Sequence, residues 1–296
     1  MTAESPADVQ EAGAGTVEDN ANGEPLHSNT PQRRGARRVV SVVAPLLTFA
    51  MFVGIWYLFA TVLLAPERRF LVPPPHDVLY AAFVDSHDRA ELLMGFWQTA
   101  KVALAGLFFS MSLGIPLAVT MSQGRWVEAS LYPYAVLIQV TPILAIVPLL
   151  GLMFGFNFTS RVIVSMIISL FPIVTNTLFG LKSAAPGMHD LFTLHKASRF
   201  IRFWRLQLPA ARPALFTGLR IAAGASVIGA IVGDFFFRQG GAGLGVLLDR
   251  YRSQLRTDEL YGAIIYSVIL GLIIFFFFGW LAKRSTGKWA HQSSDL

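Results

Sequence analysis

Apolar residues fill six stretches of the 296-residue chain, and each stretch is long enough to cross a lipid bilayer as a helix. The stretches cover residues 39–64, 97–121, 129–154, 162–181, 214–237 and 260–281. About 20 helical residues span roughly 30 Å of hydrocarbon, so the pattern predicts an all-α integral membrane protein with six transmembrane helices. The ends of the third and fourth spans are the least distinct.

The pattern also divides the chain into segments. Residues 1–37 are predicted to be a disordered cytoplasmic tail, because they are rich in Ala, Gly, Glu, Asp and Asn and have no apolar periodicity. The first span occupies 38–64, and an extracytoplasmic segment with a proline run and a short helix over 77–84 occupies 65–93. Spans two to six form a core over 94–285, with a cytoplasmic loop at 182–212, and 286–296 form a second cytoplasmic tail.

The distribution of Lys and Arg predicts the orientation, because these residues concentrate in cytoplasmic loops. Basic residues precede the first span, follow the last span and crowd the loop 182–212: Arg33, Arg34, Arg37, Arg38, Lys283, Arg284, Lys288, Lys182, Lys196, Arg199, Arg202, Arg205 and Arg212. Both chain ends are therefore predicted to be cytoplasmic. The loop 238–259 runs against this assignment, since it carries four arginines on the predicted outer side.

The composition excludes several kinds of chemistry. The chain has no cysteine, so it forms no disulfide and has no thiolate metal site. It has no G-x-x-x-x-G-K-[ST] loop for nucleotide phosphates, no H-E-x-x-H and no G-x-S-x-G. We therefore predict no enzyme activity, no bound cofactor and no metal. The net charge of +6 indicates contact with anionic lipids rather than with nucleic acid.

An amphipathic pattern continues through the loop 182–212. Apolar residues recur every three or four positions at Leu191, Leu194, Ala197, Ile201, Trp204 and Leu208, and Arg199, Arg202 and Arg205 form a separate stripe. The pattern predicts one helix that Pro209 ends, with Ser198 near its middle. Such a helix suits either a groove on a partner protein or the surface of an anionic membrane.

Polar residues inside the spans are candidates for a transport pathway, because they are costly in lipid. Asp234 lies near the outer end of span five, where it either pairs with a base such as Arg238 or gates a path, or is a helix-end acid satisfied by a neighbour. Gln139 and Thr141 precede Pro142, and Asn176 and Thr177 follow Pro172. Prolines free backbone hydrogen-bonding groups beside these polar residues, and such places can line a cavity. Ordinary hydrogen bonding between helices is the more common explanation.

Two further features of the spans have simpler explanations. Lys101, early in span two, is predicted to extend its ammonium group to the membrane interface. Gly224 and Gly229 in span five predict a close approach between helices.

The loop resembles the cytoplasmic EAA motif of binding-protein-dependent ABC importer permeases, in which E-x-A is followed by Gly-Ala-Ser and then Leu-Pro. Ala197-Ser198-Arg199 and Leu208-Pro209 match at the family's spacing. Further blocks resemble the nitrate, sulfonate, taurine and pyrimidine-precursor branch: FLVPPPHDVL (70–79), LGIPLAV (113–119), TPILAIVPLLGLMFGF (141–156), FPIVTNTLFG (171–180), FTGLRIAAGASVIGAIVGDFF (216–236) and GLGVLL (243–248).

The resemblance implies a type I ABC importer permease with the MetI-like fold. Its partners would be a second permease, as a homodimer or a paralogue, two cytoplasmic ATPases that hold ATP and Mg²⁺, and an extracytoplasmic substrate-binding protein. It also implies a set of ATPase-coupling residues: Asp190, Lys196, Ala197, Ser198, Arg199, Leu208 and Pro209.

The sequence departs from the family motif at three of its positions. Asp190 stands where glutamate is usual, Phe192 where alanine is usual and Lys196 where glycine is usual. Glycine permits tight turns, so its replacement by lysine predicts a more regularly helical loop.

The predicted function is the transmembrane pathway of an ABC importer for a small polar or anionic solute of the nitrate, sulfonate, taurine or pyrimidine-precursor type. The alternative is an ATP-independent channel or secondary transporter, in which intramembrane polar groups would have to couple ions directly. The shortage of carboxylates in the predicted spans counts against that alternative.

Overall fold

A computed structural model of the chain describes residues 33–237, 239 and 241–286, with side chains over 43–237, 239 and 241–285. Residues 1–32 of the predicted first tail, residues 287–296 of the second, and Arg238 and Gly240 lie outside this part. The chain divides into two units after Trp56. The first unit, as far as it is described, is one helix that begins at Arg33, inside the predicted tail, and continues into the second unit.

All regular elements in the described residues are helical. The α-helices are α1 (Arg33–Leu58), α2 (Pro75–Leu79), α3 (Ser86–Ser122), α4 (Arg125–Val140), α5 (Ile143–Phe154), α6 (Phe158–Lys182), α7 (Pro186–Leu194), α8 (Arg199–Arg202), α9 (Leu208–Phe236), α10 (Leu244–Ser253) and α11 (Thr257–Thr286). Single π-helical turns occupy Phe59–Leu63, Tyr80–Val84 and Phe203–Gln207, and a 3₁₀ helix occupies Pro66–Leu71. The predicted all-α class is confirmed.

Five of the described helices are long and apolar enough to cross a membrane. The predicted third span is instead two helices, α4 and α5, that bend by 95° at Thr141 and Pro142, and the count reaches six only if this pair is one span. Proline disfavours the helical conformation of the residue before it, and Thr141 is extended at ψ 127°. The apolar run 129–154, predicted as one span, therefore forms two helices rather than one.

The core of the second unit is the contact between α6 and α9, and small residues bring these helices together. A Cβ atom added at Gly229 would lie 2.6 Å from the Cα of Ser165, and one at Gly233 would lie 3.0 Å from the Cα of Arg161. The hydroxyl of Ser165 donates to the backbone carbonyl of Ser226 at 2.8 Å. Close backbone contact with hydrogen bonds between helices is the usual way in which membrane helices associate.

The arginines of the loop 238–259 that the structure describes are paired with acids. Arg250 contacts Glu91, which also accepts a 2.7 Å hydrogen bond from the phenol of Tyr251. Arg256 lies 2.8 Å from Asp88 and 2.7 Å from Glu259. Because both α3 and α11 begin with acidic residues at this end of the bundle, the positive charge of the loop before α11 is largely compensated in the folded protein.

The buried phenol of Tyr251 shows how closely these groups are packed. Its ring is fully buried, and burial together with the hydrogen bond to the Glu91 carboxylate raises the pKa of Tyr251 above its ordinary value. The network therefore fixes the start of α3 to the end of α10.

Candidate functional site: the segment between α6 and α9 and a buried ion pair

The segment between α6 and α9 is not the single helix that its apolar stripe predicts. It forms α7, a four-residue break and α8, and then continues through the π-helical turn Phe203–Gln207 into α9. The break lies at Lys196, the motif position where the family usually has glycine.

The break has the hydrogen bonds of a Schellman motif, a common helix end in which two backbone N–H groups fold back on the last turn. The N–H of Lys196 donates to the carbonyl of Thr193 at 2.9 Å, and the N–H of Ala197 donates to that of Phe192 at 3.0 Å. This motif requires a left-handed residue, and Lys196 has a φ of 50°. The prediction of a more regularly helical loop was wrong, since lysine here adopts the conformation that glycine adopts at lower cost.

Replacing Lys196 with glycine is expected to stabilise this turn by about 1 kcal/mol, because a left-handed conformation costs an L-residue about 1–2 kcal/mol and glycine much less. Amide hydrogen exchange over residues 186–202 should slow by a factor of about five. Leu255→Gly is the matched control, since Leu255 has a φ of 58° at the end of α10 and should affect only that helix. Faster exchange in Lys196→Gly would contradict the expectation.

Pro209 does not end the helix, contrary to the prediction. It lies in the first turn of α9, and residues 199–236 form one continuous helical stretch. The π-helical turn before it shifts the hydrogen-bond register, so that the N–H of Leu208 bonds to the carbonyl of Phe203. A π-helical turn is a usual place for a helix to bend, and it accommodates proline next to it.

The segment presents a large apolar surface to its surroundings. The exposed fractions are 80% for Leu194, 71% for Phe200 and 53% for Trp204. The guanidinium of Arg202 donates to the hydroxyl of Thr193 at 2.8 Å, which joins α7 to α8 across the break. An exposed apolar patch on a braced pair of helices is typical of a protein interaction site.

The predicted coupling residues are spread along this segment, from α7 to the start of α9. Asp190, Lys196 and Arg199 are exposed and Ala197 is half-buried. Ser198 is the N-cap of α8, where its hydroxyl accepts a hydrogen bond from the N–H of Ile201 at 3.3 Å. Leu208 and Pro209 are half-buried at the start of α9, at the far end of the segment.

A buried ion pair lies at the opposite end of α9. Asp234 is fully buried, and Oδ1 lies 3.1 Å from Nη1 of Arg161, which is 3% exposed. Its other oxygen, Oδ2, accepts a 2.7 Å hydrogen bond from the hydroxyl of Thr99. That hydroxyl in turn accepts the N–H of Leu244 at 2.7 Å. The cluster thus joins α3, α6, α9 and α10.

The same arginine holds the chain that follows α9. Nη1 of Arg161 donates to the carbonyl of Gly241 at 2.9 Å, and Nη2 donates to that of Gln239 at 2.8 Å. A Cβ atom at Gly243 would overlap the carboxylate of Asp234, so only glycine fits where the backbone passes this group. The ion pair therefore fixes the turn between α9 and α10.

Sequence reasoning did not identify Arg161 as the partner of Asp234. It named Arg238, which lies outside the described residues, and the two partners found here are 73 positions apart. The available signal was an arginine in the first turn of an otherwise apolar helix. The geometry agrees with the alternative of a helix-end acid satisfied by a neighbour, and Asp234 faces protein atoms rather than an open path.

The other predicted pathway residues are separate from this cluster. Gln139 and Thr141 are exposed at the bend between α4 and α5, where the hydroxyl of Thr141 donates to the carbonyl of Leu137 at 2.6 Å. Asn176 donates to the carbonyl of Pro172 at 2.8 Å and packs against Gly218. Gly218 precedes Asp234 by 16 residues on α9, a separation of about 24 Å.

A bundle of helices long and apolar enough to cross a membrane defines a class of protein, the multi-pass helical membrane proteins. The family described as "Binding-protein-dependent transport system inner membrane component" matches residues 110–287 of this chain. The chain belongs to this family, and the resemblance drawn from its motifs is confirmed.

Individual relatives agree with this assignment. The chain is 31% identical over 249 residues to a probable ABC transporter permease protein of Haemophilus influenzae, covering 83% of this chain and 97% of the relative. It is 32% identical over 241 residues to the formylaminopyrimidine transport permease protein ThiX of Halalkalibacterium halodurans, covering 81% and 93%. It is 26% identical over 232 residues to the taurine transport system permease protein TauC of Escherichia coli, covering 77% and 82%.

The fold also resembles a solved transporter. A chain of the MetNI methionine ABC transporter in an inward-facing conformation superposes with a TM-score of 0.61 at 16% identity, covering 69% of this chain and all of that one. This agreement concerns the fold, and it supports the MetI-like architecture. The protein is thus a multi-pass membrane permease.

Proposed function

We propose that this chain forms the transmembrane pathway of an ATP-driven importer for a small polar or anionic solute delivered by a binding protein. The observation that carries the proposal is the apolar surface of α7 and α8, where Leu194 and Phe200 are among the most exposed large side chains of the described residues. A cytoplasmic ATPase dimer docks there. Its closure moves the segment, and the continuous helix 199–236 carries that movement into the membrane.

The orientation in this proposal places α7, α8 and both chain ends in the cytoplasm. Lys283 and Arg284 in the last turn of α11 and the basic residues of α8 support it. Lys182 pairs with Glu128 at 2.7 Å, which joins the ends of α4 and α6 on the same side.

The solute class rests on relatives, which are named for formylaminopyrimidine, taurine, nitrate, bicarbonate and riboflavin transport. We propose that the exposed polar residues at the bend between α4 and α5, Gln139 and Thr141, face the pathway, with Asn176 on α6 as a further candidate. Asp234 is assigned a supporting role in holding the outer end of the helices that form the path.

The proposed assembly contains two permease subunits, either two copies of this chain or one copy with a paralogue, together with two ATPases that hold ATP and Mg²⁺. The chain itself requires no cofactor in this scheme. An ATP-independent channel is the competing function, and no specific feature of the described residues favours it.

The test is purification of the tagged full-length chain from its native membrane in mild detergent, followed by mass spectrometry and an ATPase assay. We expect an ATPase with a phosphate-binding loop to co-purify with the chain. Leu194→Asp, which puts a carboxylate on the exposed surface, should reduce its recovery at least tenfold. Leu152→Asp, on a residue of α5 that is 76% exposed, is the control for a new charge elsewhere. A chain that purifies without any ATPase and still conducts solute would overturn the proposal.

A further inference from the structure

An open apolar groove of about 370 Å³ runs between α9 and α11. Apart from Ser267, its walls are aliphatic side chains and two glycines, among them Gly224, Ile228, Ile231, Ile264, Val268 and Gly271. The groove is separate from the surface of α7 and α8 and from the Arg161–Asp234 cluster. Nothing in the proposed transport function requires it.

The two glycines make the groove deep. A Cβ atom added at Gly224 or at Gly271 would meet no atom within 4 Å, whereas one at Gly229 would collide with Ser165. The prediction that Gly224 brings two helices together was therefore wrong, because this glycine faces open space. The lack of side chains on facing turns of α9 and α11 widens the gap between the two helices.

A cation lies at one end of the groove, one helical turn from Gly224. The guanidinium of Arg220 lies 4.3 Å from the centroid of the Phe275 ring, and its buried Nε has no hydrogen-bond partner. Among the residues whose side chains are described, no carboxylate forms an ion pair with Arg220. An arginine within a membrane helix is costly unless it is paired, so the site is complementary to an anion.

The length of the groove identifies the kind of anion. From Arg220 to Ile231 there are 11 residues of α9, or about 16 Å, which is close to the roughly 15 Å of hydrocarbon in one bilayer leaflet. On α11, Gly279 faces the side chain of Arg220. The exposed Trp280 directly follows Gly279 in the chain, and Lys283 lies one helical turn further on. Basic side chains with tryptophan at this depth are typical of the headgroup region.

We infer that this groove binds an anionic phospholipid, with one acyl chain between Gly224 and Gly271 and the headgroup phosphate at Arg220. The apolar walls bury the chain, and the phosphate supplies the charge that Arg220 lacks. The contact between α9 and α11 therefore depends on whether the surrounding leaflet contains anionic lipid.

The test is native mass spectrometry of the purified full-length chain, with the subunits that co-purify with it, titrated with dioleoyl phosphatidylglycerol or dioleoyl phosphatidylcholine. The wild type should bind phosphatidylglycerol about fivefold more tightly at this site, as expected for one arginine near a headgroup. Arg220→Gln should abolish that preference. Gly224→Leu places its Cβ where no atom lies within 4 Å and extends a side chain into the groove, so it should weaken the binding of both lipids.

The control is Lys101→Gln, which removes another cation in a membrane helix, one that lies 5.7 Å from the Trp97 ring and away from the groove. It should leave the lipid preference unchanged. Three results would overturn the inference: an unchanged preference in Arg220→Gln, unchanged lipid binding in Gly224→Leu with loss of association between permease chains, or binding of inorganic phosphate that depends on Arg220 but not on Gly224. None of these readouts requires solute transport, so the inference can fail while the proposed function holds.

Discussion

Replacing Arg161 with methionine is expected to lower the free energy of unfolding by about 3–5 kcal/mol, as is typical when one partner of a buried ion pair is removed. The variant leaves the Asp234 carboxylate fully buried, with Thr99 as its remaining side-chain partner. It also removes the donor to the carbonyls of Gln239 and Gly241, which should loosen the turn between α9 and α10.

The measurement is unfolding of the purified protein in mixed micelles with increasing SDS, followed by tryptophan fluorescence. The double variant Arg161→Met with Asp234→Asn should recover a large part of the loss, because both charges are then absent and asparagine keeps a side-chain acceptor for Thr99. Recovery in the double variant would show that the penalty comes from an uncompensated charge rather than from lost packing.

Lys182→Met is the matched control for this experiment. Its partner pair with Glu128 has a similar distance, 2.7 Å, but the two side chains are 50% and 28% exposed. Ion pairs at the protein surface contribute about 0–1 kcal/mol, so the control should lose no more than that. Equal losses in Arg161→Met and Lys182→Met would contradict the view that burial makes the Arg161–Asp234 pair important.

The sequence predicts the features of this protein that depend on local patterns. Runs of apolar residues fix the helices of the bundle, because the membrane imposes one simple requirement on every span. The periodicity of Leu191, Leu194 and Trp204 likewise identified an amphipathic element in the right place. These are local properties, and each is written within a few helical turns.

The features that the sequence did not predict depend on contacts or on backbone conformation. Arg161 and Asp234 meet only because α6 and α9 pack closely through Gly229 and Gly233, and no local pattern encodes that pairing. Lys196 takes a left-handed conformation that lysine rarely adopts. A lysine at this position therefore predicted a regular helix where the structure has a break. Pro209 suggested a helix end because proline usually interrupts a helix. The π-helical turn that accommodates it here has no sequence signature, so the continuation of the helix was not predicted.

The second large effect is expected on transport. Ala197→Asp and Arg199→Glu should each reduce ATP-driven solute uptake by at least tenfold while the protein remains in the membrane. Ala197 is the half-buried residue directly after the Lys196 turn, and Arg199 is the exposed first residue of α8. A carboxylate at either position adds negative charge to the surface on which we propose that the ATPase docks.

Uptake of radiolabelled solute into proteoliposomes, together with the ATPase activity of the same samples, separates coupling from folding. Taurine and nitrate are suitable first solutes because relatives are named for their transport. Loss of uptake with ATP hydrolysis retained would indicate failed coupling, and loss of the ATPase from the complex would indicate failed docking. Both results support a role for α7 and α8 as the contact element.

Arg125→Glu is the matched control, because it reverses an exposed charge at the first residue of α4, an element separate from α7 and α8. It should leave uptake within about twofold of the wild type, as is usual for a surface substitution away from special features. Unchanged ATP-driven uptake in both Ala197→Asp and Arg199→Glu would contradict the docking proposal. The helix from Arg199 to Phe236 is continuous. If Arg199→Glu abolishes uptake, the loss therefore supports this helix as the mechanical link between the docking surface and the membrane.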